Sequence, residues 1–197
     1  MIVVDVETTG LDPKKHSIVS IGAVDFSKPE NQFYQECRIW DGAKVSPEAL
    51  EVNGFSEEEV RDPHKKTLEE VIKGFFKWVE KLPEKTIAGQ DPSFDKGFLK
   101  ASAERCGIEW TLGHRTVDLH SICYFHHLKK GINPPTKEGR TALNLDKIAN
   151  YVGLPEEPKP HNALTGAKVE AEAFSRFVFG KLLLEEFEKF PIPDHLL

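Results

Sequence analysis

The sequence predicts an α/β domain whose mixed β-sheet is flanked by α-helices. Two observations carry this reading. Three β-type segments follow one another at the N-terminus with short turns between them, and after residue 46 helical apolar stripes alternate with short β-type runs.

The first strand is Ile2-Val3-Val4-Asp5-Val6-Glu7-Thr8-Thr9-Gly10, a β-branched apolar run interrupted by two acids. Leu11 to Lys15 form a turn, Ile18 to Phe26 a second strand, Lys28 to Asn31 turn material, and Phe33 to Trp40 a third strand. The chain therefore begins as an antiparallel meander. Ser46 before Pro47 has N-cap and first-turn character for a short helix, and Ser56 starts another. Leu68, Val71, Ile72, Phe75, Phe76, Val79 and Leu82 recur at helical spacing and read as a core stripe. Thr86 to Gly89 is a short strand. Pro92 opens a helix that ends near Gly107, Arg115 to Val117 is a further strand, and Asp118 begins the next helix. Gly131 to Arg140, with two consecutive prolines, reads as a loop and the most mobile element. Leu143 to Val152 is a helix, Gly153 to Lys159 a Pro/Glu-rich linker, and a last helix follows His161 to about Phe179. No repeat or internal boundary interrupts the pattern, so residues 1–197 are expected to form a single domain.

Hydrophobic residues make up 39% and charged residues 29% of the chain, which is the composition of a globular protein with a sizeable core. No apolar run reaches bilayer-spanning length, and the chain opens directly into a strand without a signal-peptide pattern. Cys37, Cys106 and Cys123 are an odd set without a CxxC pair, so reduced thiols and a cytoplasmic location are expected. A net charge of −6 argues against a broad basic surface that grips long duplexes, but leaves room for a protein that takes only a strand end.

Side chains alternate along a strand, so Asp5 and Glu7 share a face. On a core strand two such carboxylates repel unless a cation lies between them. Taken alone, the pair divides evenly between a divalent-metal site and acids that reach solvent or a nearby lysine. Asp95, beside the apolar Phe94, Phe98 and Leu99, and His161, just before the last helix, are also ionisable residues where a core element does not favour them.

Asp5-Val6-Glu7-Thr8-Thr9-Gly10, then Phe94-Asp95 followed by Phe98-Leu99, then His161-Asn162-Ala163-Leu164 before Ala167 resemble in order and spacing the three motifs of the DnaQ-like, or DEDDh, 3′→5′ exonucleases. That family includes the proofreading subunit of bacterial replicative polymerase, ribonuclease T and oligoribonuclease. Val45 to Leu50, Asn53 to Ser56 and Thr116 to Asp118 resemble its connecting features, so the likeness covers nearly the whole chain. The resemblance implies a ribonuclease H-like fold and a phosphodiesterase that releases nucleoside monophosphates from the 3′ end of DNA or RNA. It implies two Mg2+ or Mn2+ ions per site, with Asp5 contacting both and Glu7 and Asp95 completing the carboxylate shell. His161 is implied as the base that takes the proton of the attacking water, and Thr8, Thr9, Gly10 and Phe94 as residues that bind the terminal nucleotide. The implied partners are a single-stranded 3′ end, and a DNA polymerase or a second copy of the chain.

Two positions depart from that pattern, Gly166 and Asp91. Where the family carries an aspartate five residues after the histidine, this chain has Gly166. Three readings stand: activity is lost or weakened, with one metal held less well; Glu170, one helical turn later, is a substitute ligand; or the remaining carboxylates and substrate phosphate suffice. A Gly166→Asp variant is accordingly expected to be the faster enzyme. The alternative function is a catalytically impaired module that binds 3′ ends or joins a polymerase. Asp91, where the related motif has Asn, reads as a helix N-cap, and Glu170 taken alone reads as a solvated helix residue.

His114, His120, His126 and His127, with Cys123, match no structural zinc spacing and read as surface histidines. Lys14, Lys15, Lys96, Lys100, Lys159 and Lys168 fall near the motifs, where phosphates are expected. Trp40, Trp78 and Trp110 read as packing, Asp118 as a helix cap, and the apolar residues from Leu182 to Leu197 as a segment that packs on the domain.

Overall fold

The computed structural model describes residues 1–197. β1 (Ile2–Thr8), β2 (Ile18–Asp25) and β3 (Gln32–Glu36) are followed by α1 (Pro47–Asn53), α2 (Glu57–Arg61) and α3 (Leu68–Val79). Then come β4 (Ile87–Gly89), α4 (Pro92–Arg105), β5 (Thr116–Asp118), α5 (Leu119–Lys129), the two-residue strands β6 (Thr136–Lys137) and β7 (Arg140–Thr141), α6 (Leu145–Tyr151) and α7 (Ala163–Phe179). Five strands form one sheet in the order β3-β2-β1-β4-β5. β1 is antiparallel to β2 and parallel to β4, which makes the sheet mixed, as the element order predicts.

The pleat of β1 divides the core. Ile2, Val4 and Val6 pack with the stripe of α3 and with Phe98 and Leu99 of α4, while Val3 packs on the opposite face with residues of α5, α6 and α7. Asp5 and Glu7 share the face of Val3 and therefore look toward α7. Across the ladder from Asp5 stands Gly22, where a Cβ would lie 2.1 Å from the Ala163 carbonyl carbon. The absence of a side chain at Gly22 lets the first turn of α7 rest directly on the sheet.

β4 is only three residues long and pairs with Ile2 and Val3 alone. Beyond Val4, β1 has no strand neighbour on that side, and the Val6 amide must find its partner elsewhere. This short β4 is what opens the sheet at the functional site.

Three sequence expectations need correction. The third strand stops at Glu36 rather than Trp40, because the Arg38 and Ile39 amides leave the sheet to bond Lys66 O and Val60 O. The expected loop from Gly131 to Arg140 contains all but the last residue of a small antiparallel hairpin, β6 with β7, turning at Glu138 and Gly139. His127 is not a surface histidine: it is 5% exposed, stacks on Tyr151 with ring centroids 4.0 Å apart, and places Nδ1 2.9 Å from Cys123 O.

The C-terminal segment packs on the domain as expected, held by a fully buried ion pair. The Arg176 guanidinium donates to Glu172 Oε1 and to the carbonyls of Val152, Phe187 and Phe190, while Glu172 Oε2 accepts from the Leu183 and Leu184 amides. Cys37, Cys106 and Cys123 are free thiols, and no helix is long and apolar enough to cross a membrane.

Candidate active site

The site forms where β1 runs past the end of β4. The Val6 amide, lying between Asp5 and Glu7 and left without a strand partner, donates to Asp95 Oδ1 at 3.0 Å. Asp95 sits in the first turn of α4, which Phe98 and Leu99 anchor to the sheet, so a helix from one layer closes a strand edge with a carboxylate. Glu170 of α7 makes the corresponding closure at β4: Oε1 accepts from the Gln90 amide at 3.0 Å. Its Oε2 is buried with no hydrogen-bond partner.

His161 enters from the loop before α7, fixed by its own amide bonding to Val52 O at 3.0 Å. Asn162 caps α7 by accepting from the Leu164 and Thr165 amides, and its Nδ2 donates to Tyr34 Oη at 2.9 Å. Glu157, on the same loop, is folded inward. Its amide donates to Asp146 Oδ1 at 3.3 Å, its Oε1 accepts from the Asn162 amide at 3.3 Å, and its Oε2 lies 3.5 Å from His161 Nδ1. The Glu157 side chain is 4% exposed and that of His161 29%.

Burial first, and the crowding of like charges second, raise the carboxyls of this group. The Asp5 carboxyl is raised well above the usual range, by burial first and then by the charges of Asp95, Glu170, Glu7 and Glu157. Burial, with Glu157 second, pushes Glu7 up to about 7. Asp95 is pushed up to about 8 by burial, against the pull of the Val6 amide. Glu170 is raised by burial and then Asp95, and Glu157 is raised by burial while His161 pulls it down. When ionised these acids repel one another, and a cation among them relieves that repulsion.

The structure thus brings Asp5, Glu7, Asp95 and His161 together. Glu170, expected by itself to be solvated, is 3% exposed and faces the same group; the apolar surroundings of its neighbours Val169, Ala171 and Ala173 place it on the inner side of α7. Glu157 escapes a reading of the sequence, because the Pro/Glu-rich composition of residues 153–159 reads as solvated linker. The available signal is its spacing of four from His161.

Asp91 does occupy the N-cap position of α4, but in a left-handed conformation with φ 53° and no side-chain cap bond, which corrects the expected capping role. Asp118 does cap α5, accepting from the His120 and Ser121 amides. At Gly166 a Cβ would lie 2.2 Å from Asp5 Oδ2, so α7 approaches β1 more closely than a side chain there permits.

Thr8 Oγ1 donates to Gly10 O and Thr9 Oγ1 to Lys44 O, so both hydroxyls are engaged within the chain. Gly10 lines a cleft of about 570 Å³ together with Leu11, His16, Ser46, Glu48, Ala49 and Val52. Val52 joins that cleft to His161 through the backbone bond described above. Phe94 packs on Phe98 at the edge of the core, with ring centroids 4.9 Å apart. Among the lysines near the motifs, Lys96 is bonded to His114 O and Lys168 to Glu186.

Carboxylate oxygens gathered with an imidazole around one strand end of a mixed α/β sheet are the donor set of a hard divalent cation. The sequence profile of an exonuclease family, RNase T, matches residues 2–174, and the chain belongs to that family. Over 194 residues it is 27% identical to a PolC-type DNA polymerase III of Thermotoga maritima, a match covering 95% of this chain and 13% of the polymerase. Over 123 residues it is 28% identical to ribonuclease T of Haemophilus influenzae, covering 55% of this chain and 52% of that one. The chain thus spans about half the length of ribonuclease T and a small part of the polymerase. Its fold superimposes on the nuclease domain of 3′hExo, a DEDDh family member crystallised with rAMP, with a TM-score of 0.68 at 17% identity over 93% of this chain and 94% of that one.

Proposed function

We propose that this chain acts as one exonuclease domain that requires a divalent metal and removes nucleoside monophosphates from the 3′ end of single-stranded DNA or RNA. The observation that carries the reading is the meeting of Asp5, Glu7, Asp95 and His161 at one strand end, beside an open cleft, in a chain of the exonuclease family. The residues suit a hard cation: the donors are carboxylate oxygens, and the buried Oε2 of Glu170 lacks a partner. Asp5, Glu7 and Asp95 would hold Mg2+ or Mn2+, with two ions the proposed number. Bound there, the metal supplies positive charge to the oxygens of an in-line displacement at phosphorus.

The chain's own groups do the rest. The Val6 amide holds Asp95 in place, so this carboxylate is positioned before any substrate arrives. Glu157 Oε2, 3.5 Å from Nδ1, orients the His161 ring so that Nε2 is the nitrogen offered to a water proton. Leu11 is 83% and Val52 49% exposed at the cleft, so they offer apolar surface to a terminal base. The engaged hydroxyls of Thr8 and Thr9 leave contact there to the backbone around Gly10.

A polymerase partner is supported by the PolC-type relative, whose matching stretch lies within a much longer polymerase chain. The test of the central reading uses 5′-labelled single strands of DNA and of RNA. Stepwise shortening from the 3′ end with Mg2+ or Mn2+, with mononucleotide release and no shortening by Asp5→Ala, is the expected result. Binding without shortening in both metals overturns it and favours a 3′-end binding module.

A further inference from the structure

We propose that Glu157 is a metal ligand of this site and takes the place left vacant at Gly166. This assignment rests on the exonuclease reading above and deepens it, since it names which residue completes the carboxylate shell.

Glu157 stands in the right place. Its Oε1 lies 3.5 Å from where a Cβ on Gly166 would stand, in contact with the position from which a residue at 166 would project. Asp5 Oδ2 borders the same space, 2.2 Å from that Cβ position. The close approach of Asp5 leaves no room for a side chain on the helix here, and the loop supplies a carboxylate beside it.

Its reach is also right. Donor atoms of Glu7, Glu157 and His161 all lie within 4.8 Å of one another. Donors spread evenly round a Mg2+ on bonds of ~2.1 Å stand at most about 3.6 Å apart, so the carboxylates of Glu7 and Glu157 meet on one ion by drawing in by up to about 1 Å, with His161 beside them as the base. Glu170, the substitute expected from the helix, approaches from the β4 side of Asp5, where its Oε1 accepts from the Gln90 amide and only Oε2 is left to face the acids.

Burial points the same way. The Glu157 carboxylate meets one amide at 3.3 Å and the part-exposed imidazole of His161. Removing a carboxylate from water at such a place is costly unless a cation compensates. Independently of Glu157, the orphaned Oε2 of Glu170 is an acceptor with no donor in a residue 3% exposed, directed among the same acids. An unmatched acceptor behind Asp5 and a buried carboxylate in front of it are both satisfied by positive charge at the centre.

The test is Mn2+ binding to the full chain without nucleic acid, followed by calorimetry and by the electron-paramagnetic signal of free Mn2+. Glu157→Gln keeps the side-chain shape, Glu157→Asp keeps the charge but withdraws it, Asp5→Asn is the reference for a lost ligand, and Glu156→Gln is the exposed neighbour as control. Glu157→Gln is expected to weaken Mn2+ binding at least about tenfold, the lower bound for groups that merely support a ligand. Glu157→Asp should fall between it and the wild type, and Glu156→Gln should bind as the wild type does. If both Glu157 variants bind Mn2+ normally while Asp5→Asn does not, the inference falls and the metal-dependent reading stands. It falls equally if Glu157→Gln changes only the pH profile of cleavage, since Glu157 then acts solely on His161. Unchanged binding in Asp5→Asn as well overturns both.

Discussion

Without a cation, the crowded carboxylates make the stability of this protein fall as pH rises through neutrality. Glu7 has an ordinary value of 4.5 and stands at about 7 in the fold, raised by burial and by Glu157, and Asp95 stands at about 8. Between the unfolded and the folded values the native chain holds protons that the unfolded chain has released. The slope of unfolding free energy with pH is therefore negative in that window. Stability is full below about pH 4 and declines from there through the folded values of Glu7 and Asp95, about 7 and about 8. Glu7 alone, raised by about 2.5 units, corresponds to roughly 3 kcal/mol. Because the acids titrate against one another, their contributions do not simply add. For a chain of this size that loss lowers Tm by roughly 10 °C.

The assay is thermal unfolding in a metal chelator at about pH 5 and about pH 8.5, then in excess Mg2+. The expected outcome is a lower apo Tm at the higher pH, restored by Mg2+ there and barely changed by Mg2+ at the lower pH, where protons already occupy the acids. Glu7→Gln should flatten the apo profile and shrink the Mg2+ response. An apo Tm that is level or rising over this range, or a Mg2+ shift equal at both pH values, refutes the reasoning.

Two further variants separate packing from chemistry. Gly166→Asp must displace Asp5 Oδ2, which lies 2.2 Å from the new Cβ, and adds another acid to the cluster. It is expected to cleave a labelled strand more slowly than the wild type, reversing the expectation from sequence; a faster variant shows that Asp5 relocates without loss. Arg176→Met leaves Glu172 charged and fully buried without its partner, which should cost about 3–5 kcal/mol in urea unfolding. A loss under about 1 kcal/mol would show that the Leu183 and Leu184 amides alone satisfy Glu172.

The mixed sheet is legible in the sequence because its elements obey local rules. Asp5 and Glu7 break the apolar pattern of a core strand but alone divide evenly between a metal site and structural acids, and it is the order and spacing of the three motifs that join them to Asp95 and His161. The unread parts depend on long-range contacts. Nothing local reveals that β4 stops after three residues and leaves the Val6 amide for Asp95. Nothing local reveals that Asp91, an ordinary capping residue beside a proline, takes a left-handed backbone instead. Glu170 misleads because a glutamate in a helix is usually solvated, and only the packing of α7 against β1 and β2 turns that position inward.

Gly22 and Gly166 give this site its particular form. One lies on β2 opposite Asp5, the other on α7 above it, and each lacks the side chain that would hold helix and sheet apart. The helix consequently rests on Asp5, and a carboxylate projecting from position 166 has no space. A shell that needs another acid must then draw it from an element that can bend around the helix start, and the segment from Gly153 to His161 is the one that does so. Its hold on Glu157 comes from Asp146 and the Asn162 amide, at 3.3 Å each. Loosening that loop should therefore weaken metal binding while leaving the β1–α4 contact through Val6 and Asp95 intact. In this chain the integrity of the site depends on the loop before α7 as much as on the strand that carries Asp5 and Glu7.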